Sequence, residues 1–512
     1  MNKHIFSFLI FFFAFVSISS AQNKSESIKY LKANLEFLAS PELEGREATS
    51  HAEKVASQFI ATELKKYGVK PFGDNGTYFT NFEMTAASVN ENSTITFYNK
   101  DNAGENLTYK NDFFLMKSPI PNSSFTNKNY EMVFAGYGIV SEEENYNDYE
   151  NIDVKGKVVV MVSGTPLKSQ SHISDKNLRK LKLASAQELG ATGIIYIFQK
   201  EFFNYWGFFQ TSYSEISYGI KYETDAEQKQ NNIPVMILSK EGINKLLADE
   251  QTDYEKLMEL FSSPGKKESF TFNKTVSFNY SLNIETKQAR NVVGILEGTD
   301  EQLKNEYVLT SCHYDHEGIK KGEIYFGADD NGSGTSGVIE IARRLSADKR
   351  NKRSVLFVFH TAEEKGIFGS KYLANNADYI VNNAVVDINI DMIGRESIDT
   401  IYNIGSGKLS TELYDLVNEI NSETSNFVFN YQYDMPNDPH DLYNRSDHVH
   451  YANKGIPIVF FYDNMAVDYH KPTDTADKID FEKIYKTTQL VENLALRIAN
   501  LDHKLKVDKP NK

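Results

Sequence analysis

The chain has 512 residues, 40% hydrophobic and 24% charged, with 29 Gly, 12 Pro and one Cys, which excludes the disordered, collagen-like and disulfide-scaffold classes. Its formal charge of -15, from 55 Lys and Arg against 70 Asp and Glu, would repel a phosphate backbone, and no basic run compensates, so nucleic acid is not expected as a partner. At about 150 residues per domain the length suggests roughly three domains, or two with one large.

At the amino end, Lys3 and His4 precede an apolar run over 5–18, and the small residues Ser19, Ser20 and Ala21 follow. These are the three parts of a secretory signal peptide, predicted over 1–21; the run is short of the roughly 20 residues a span needs. The reading implies an exported protein, periplasmic or secreted, with no membrane attachment after signal removal. Cys312 stands alone, so no intramolecular disulfide is available.

From 27 to 68, Leu31, Leu35 and Leu38, then Val55, Phe59, Ile60 and Leu64, recur at three- and four-residue steps and predict two amphipathic helices, the second stopping at Gly68. Short alternating stretches between 78 and 128 predict strands and loops. Apolar runs at 155–163, 190–197 and 233–238 enclose a helical stretch at 179–189 and predict a small α/β module. His172 is its only histidine and reads as incidental. After Lys287, strand-like segments at 292–296, 307–312, 355–359, 385–390 and 458–461 alternate with helical ones at 335–345, 370–375, 411–421 and 481–501. The pattern predicts an α/β fold with a mostly parallel mixed sheet flanked by helices, carrying ligands beyond the carboxyl ends of its strands.

His, Asp and Glu residues gather at those ends. His313 and Asp315 follow the strand at 307–312, Asp330 precedes the helix at 335–345, Glu363 and Glu364 follow 355–359, Asp391 closes 385–390, and His470 follows 458–461. Each has an ordinary alternative: a hydrogen-bonded structural His, an Asp helix cap for Asp329-Asp330, a solvated first helical turn for the glutamates, and a turn residue for Asp391. Together they form a mixed nitrogen and oxygen set that suits zinc, with cobalt or manganese as poorer choices.

The segments His313-Tyr-Asp-His-Glu-Gly318, Gly327-Ala-Asp-Asp-Asn-Gly-Ser-Gly334, Phe357-Val-Phe-His-Thr-Ala-Glu-Glu-Lys-Gly366, Asn389-Ile-Asp-Met-Ile-Gly394, Ser446-Asp-His448 and Tyr469-His-Lys-Pro-Thr-Asp-Thr475 resemble, in order, the M28 family of di-zinc aminopeptidases. The stretch between them and the amino-terminal helices resembles a protease-associated (PA) domain inserted into that family, at Gly156-Lys-Val-Val-Val and Gly190-Ala-Thr-Gly-Ile; Glu44-Gly-Arg46 looks like the family's opening segment. The organisation this implies is a signal peptide over 1–21, an amino-terminal part of the catalytic domain over 22–128, a PA-like insertion over 129–265, a zinc-peptidase domain of phosphorylase/hydrolase-like fold over 266–505, and a tail over 506–512.

The resemblance further implies two zinc ions per chain, one held by His313, Asp330 and Asp391 and the other by Asp330, Glu364 and His470, with Asp330 bridging. Asp329 would be structural and Glu363 the general base. Asp315 would accept a hydrogen bond from His313. Asp447 and Asp474 would support the site, and Tyr469 is either an oxyanion donor or a packed aromatic. Two cations about 3.5 to 4 Å apart can hold a bridging water that Glu363 would deprotonate. His316 and His360 are not expected as ligands, since both metals are already supplied, and Cys312 reads as a buried strand thiol. The segment 440–450 reads as a substrate-side loop, and the aromatic stretch 202–209 as either local core or a surface at the active-site mouth.

The expected activity is removal of residues from the amino terminus of peptide substrates. A di-zinc carboxypeptidase or dipeptidase on the same scaffold is the alternative, for which the sequence shows no clear basic pocket. Glutaminyl cyclisation and a non-catalytic receptor-like protein are more remote, because the metal set is complete.

Overall fold

The computed structural model describes residues 23–509 except 117–123, 126–127, 168–174, 213–215, 224, 226–232, 262–267 and 436–437. The predicted signal peptide and His172 lie outside the described residues. Two units are distinguished, one of residues 1–83 with 287–512, the other of 84–286.

The first unit is built on a set of strands, the central ones being near-continuous apolar runs buried on both faces. The strands are β1 (Ser269–Leu296, of which the last residues belong here), β2 (Tyr307–His313), β3 (Ser354–His360), β4 (Ala384–Asp391), β5 (Thr400–Ile404), β6 (Val428–Asn430) and β7 (Ile458–Tyr462). Strands β3, β2, β4 and β7 lie side by side and parallel. Antiparallel β1 flanks β3, and antiparallel β5 flanks β7, with β6 parallel to β5 beyond it. The mostly parallel mixed sheet is as expected; β5 and β6 are additions, short and half-polar, with no run long enough to announce them.

Helices α1 (His51–Lys66), α2 (Gly334–Asp348), α3 (Phe368–Asn376), α4 (Thr411–Glu423), α5 (His448–Ala452) and α6 (Phe481–Ala499) flank this sheet. One apolar core joins Leu31, Leu35, Ile60 and Leu64 to Val308, Phe357, Ile388 and Val459 and to Val338, Val417 and Leu494. Val55, expected on the apolar stripe of α1, is instead exposed, and Ala56 takes the inward position. Gly68 follows α1 with φ +78, the left-handed conformation that ends a helix.

In the second unit, strands Tyr130–Ala135, Val158–Val162, Gly193–Ile197 and Val235–Leu238 run parallel, and helix Asp175–Glu188 supplies the predicted crossover. The unit is larger than the 129–265 expected from sequence. Strand Phe113–Leu115 pairs with Val235–Leu238, and Thr94–Tyr98 pairs with the first part of β1, so residues assigned to the catalytic domain close this sheet instead. Phe202, Phe203, Trp206 and Phe209 pack on its cores, whereas Tyr205 and Phe208 are exposed.

Candidate metal centre

The parallel strands all end toward one rim, and the candidate ligands are the residues at or just past those ends. His313 is the last residue of β2 and Asp391 the last of β4; Glu363 and Glu364 follow β3; Asp330 lies in the turn before α2; His470 lies in the loop after β7. His313 Nε2 is 3.1 Å from Asp391 Oδ1 and 3.5 Å from Asp330 Oδ1. His470 Nε2 is 3.2 Å from Asp330 Oδ2 and 3.0 Å from Glu364 Oε2. The two oxygens of Asp330 thus face two different histidines, the disposition a bridging carboxylate requires. All five residues expected as ligands converge.

The Asp330 turn is fastened from several sides. Its own N–H donates to Asp474 Oδ2 at 3.1 Å, and Asp329 N–H donates to both oxygens of Asp474 at 3.1 and 3.0 Å. Asp329 Oδ1 accepts from Gly394 N–H at 2.8 Å, and Asn331 Nδ2 donates to the Ile390 carbonyl at 3.1 Å, which ties the turn to the end of β4. Asp474 therefore acts on the ligand turn, and Asp329 caps nothing. Asp391 Oδ2 accepts from Ser446 Oγ at 2.9 Å, so Ser446 rather than its neighbour Asp447 touches that carboxylate. Asp447 is fully buried, and burial pushes its carboxyl up to about 7.

The expected hydrogen bond from His313 to the Asp315 carboxylate is not formed. His313 Nδ1 lies 3.2 Å from the Asp315 main-chain oxygen but 3.8 Å from Oδ1, which instead accepts from Glu363 N–H at 3.1 Å. Asp315 thus orients the histidine through its backbone and the glutamate through its side chain.

Two further residues reach the site: His316, not expected as a ligand, and Glu317, for which the sequence carried no expectation. His316 Nδ1 is 2.8 Å from Glu364 Oε1, and Glu317 Oε1 is 3.3 Å from His470 Nδ1. His316, Asp330 and Glu364 form one group able to hold a metal, and Glu317, Glu364 and His470 another, beside His313, Asp330 and Asp391. Both residues lie inside the recognised segment His313-Tyr-Asp-His-Glu-Gly318, which is the signal that could have found them. Ala362, Met392 and His470 hold left-handed φ values of 56, 52 and 51, a local strain concentrated where the side chains must converge.

Charge shapes the site strongly. For His470, burial opposes the imidazolium, but the Glu364 and Asp330 carboxylates outweigh it and push the ring up to about 11. Burial, reinforced by nearby carboxylates despite His313, lifts Glu363 well above the ordinary carboxylate range; Glu364, though buried, is held well below it by His470 and His316. His360 is buried, with burial driving it down to about 3 and Nε2 3.2 Å from Tyr451 Oη, so it is a neutral structural residue. The Cys312 thiol is buried and pushed far up, a packed strand residue.

A small cavity reaches His313, Asp330, Glu363, Asp391 and His470, with Arg445 and Tyr469 on its wall. Tyr469 stacks on His470 at a centroid distance of 3.8 Å, and its hydroxyl accepts from Arg445 Nη2 at 3.4 Å. Burial raises the phenol, which stays a hydrogen-bond donor. Leu442 and Arg445 bring the 440–450 loop to the cavity wall. Mixed nitrogen and oxygen donors, buried except for the half-buried His470 and converging from five elements, fit zinc better than magnesium or calcium, which take oxygen.

Residues 291–495 match Peptidase family M28. The chain is 26% identical over 239 residues to leucine aminopeptidase 2 of Arthroderma otae, covering 42% of this chain and 46% of that protein. It is 28% identical over 217 residues to aminopeptidase YwaD of Bacillus subtilis, covering 40% and 43% respectively. The chain thus spans about half the length of the curated relatives it matches. Among solved structures, an aminopeptidase from Aneurinibacillus sp. strain AM-1 is similar in fold, with a TM-score of 0.57 at 19% identity over 94% of this chain and 96% of that one.

Proposed function

The chain carries a peptidase family M28 domain over residues 291–495, and from that premise we propose that the protein is a zinc aminopeptidase that uses two metal ions and Glu363 as general base. The observation that carries the reading is that Glu363 lines the same cavity as His313, Asp330 and Asp391 yet belongs to none of the three metal-holding groups. Its carboxylate is left to move protons.

His313, Asp330 and Asp391 would hold one ion, and Asp330, Glu364 and His470 the other. When bound, zinc would polarise a peptide carbonyl and acidify water. Glu363 then takes a proton from the attacking water and delivers it to the leaving amine, a transfer its place in the cavity allows. Its main-chain N–H is fixed by Asp315 Oδ1, which sets where the carboxylate can reach. Tyr469, protonated and on the cavity wall, donates to the oxygen that gains charge in the tetrahedral stage. Phe460, Leu442 and Met465 give the side chain of a bound peptide's terminal residue an apolar wall.

One observation favours a second reading. The Arg445 guanidinium is the cation on the cavity wall that a carboxypeptidase would need for a terminal carboxylate. Peptides offered free, N-acetylated and C-amidated separate the two: aminopeptidase action loses the acetylated substrate and keeps the amidated one, and the reverse result would reject it. Export is part of the proposal, supported by the charged, apolar and small-residue order of 1–21; sequencing of the mature amino terminus tests it, with a start near Gln22 expected.

A further inference from the structure

Five ligands shared over two ions give three protein ligands to each, Asp330 being counted twice. A sixth side chain is aimed at one of these centres. His316 is fully buried, and its Nδ1 lies 2.8 Å from Glu364 Oε1 and 3.7 Å from Asp330 Oδ2. Two electron-pair donors on one tetrahedral zinc, with bonds near 2.0 to 2.1 Å, sit roughly 3.3 Å apart, so these separations bracket the expected one.

The approach is poorly aligned for a hydrogen bond, although the two groups attract each other electrostatically. Neither ring nitrogen of His316, nor Glu364 Oε1, has an aligned hydrogen-bond partner among the described residues. Buried polar atoms left so are costly unless something takes their lone pairs, and a cation between Nδ1 and Oε1 would do so. The His470 ring stands on the same side, its centroid 5.8 Å from that of His316.

The position is built rather than incidental. His316 N–H donates to the Arg46 carbonyl at 3.2 Å, and Glu47 bridges to His316 through the backbone. The imidazole fills space that only a glycine at 327 leaves free: a Cβ there would lie 2.5 Å from the ring, and the residue holds φ +60.

We propose that His316 is a further protein ligand, through Nδ1, at the centre formed by Asp330, Glu364 and His470. The inference rests on the two-metal reading above. It makes the two centres unequal: one held by four protein ligands, the other, on His313, Asp330 and Asp391, by three. The centre with four would bind more tightly and exchange more slowly.

A crystal structure of the zinc-loaded wild-type protein tests this without any variant. Zinc within about 2.0 to 2.2 Å of His316 Nδ1 is expected; two bound zincs with neither within bonding distance of that nitrogen would overturn this inference and leave the aminopeptidase reading standing. Failure to bind two zincs would overturn both. Competitive chelator titration gives a second readout: His316→Ala is expected to weaken the tighter of two sites by at least roughly 100-fold, beyond the range typical of a residue that merely orients a ligand. His360→Asn, a buried histidine turned toward Tyr451, is the control and should leave both affinities within a few-fold of wild type. An unchanged tighter site in folded His316→Ala protein would refute the assignment.

Discussion

Arg46 is the residue through which the amino-terminal segment acts on the metal loops, and its replacement by Met should be among the most damaging single changes outside the ligands. The side chain is 1% exposed, and its guanidinium donates to the carbonyls of Tyr314, Phe326 and Gly327, each at 2.9 Å, and to that of Leu38. Tyr314 directly follows the candidate ligand His313, and Gly327 lies three residues before Asp330. A hydrogen bond to a charged group contributes about 1.5 to 3 kcal/mol, but the burial that draws this guanidinium down to about 10 offsets part of the gain. Methionine fills the channel of the stem yet leaves four carbonyls without their donor, and water can restore only some of them. A loss of about 4 kcal/mol results, at the upper end for point substitutions. Urea unfolding of the metal-free protein, followed by far-ultraviolet circular dichroism, measures it, and zinc affinity should fall with it. A destabilisation below about 1 kcal/mol would refute the reasoning, because it would mean that the buried carbonyls do not depend on the guanidinium.

Glu363→Gln should retain two zincs and lose roughly 10²- to 10⁴-fold in turnover; loss of metal would instead make Glu363 a ligand. Lys483 and Asp463 form a fully buried ion pair that joins the start of α6 to the residue after β7. Lys483→Met leaves that carboxylate uncompensated and should cost about 3 to 5 kcal/mol at pH 8. Burial already pushes Asp463 up to about 7 against the pull of Lys483, so its folded value exceeds the unfolded one and the penalty should shrink as the pH falls toward 5 and the group takes a proton; a penalty independent of pH would contradict this. Because carboxylates hold His470 up to about 11, the metal-free ring is protonated at neutral pH and zinc must expel the proton. Calorimetry in buffers of different ionisation enthalpy should show proton release and an affinity that weakens as pH is lowered; binding without proton release would exclude His470 as a ligand.

The central strands were legible because each is an apolar run, and two of them close on a candidate ligand, His313 ending β2 and Asp391 ending β4, while Glu364 and His470 follow β3 and β7 at a distance. The strands β5 and β6, beyond β7, were not, since Thr400–Ile404 and Val428–Asn430 are short and receive their strand character from neighbours rather than from their own composition. The extent of the second unit was hidden by β1, whose first part pairs with Thr94–Tyr98 and whose last part joins β3 of the first unit's sheet. No compositional change marks that division. At the site, ligand types and order could be read, but not which atom of Asp315 meets His313, a matter of side-chain direction. His316 was passed over because the ligand count already balanced, and only the 2.8 Å approach to Glu364 reopens it.

The action of two metals with one base in the cavity is tested most directly by titrating the metal-free protein with zinc while following release of residues from an unblocked peptide. Activity should be absent without metal, rise with added zinc and be complete at two equivalents. Hydrolysis by the metal-free protein, or full activity at one equivalent, would contradict it.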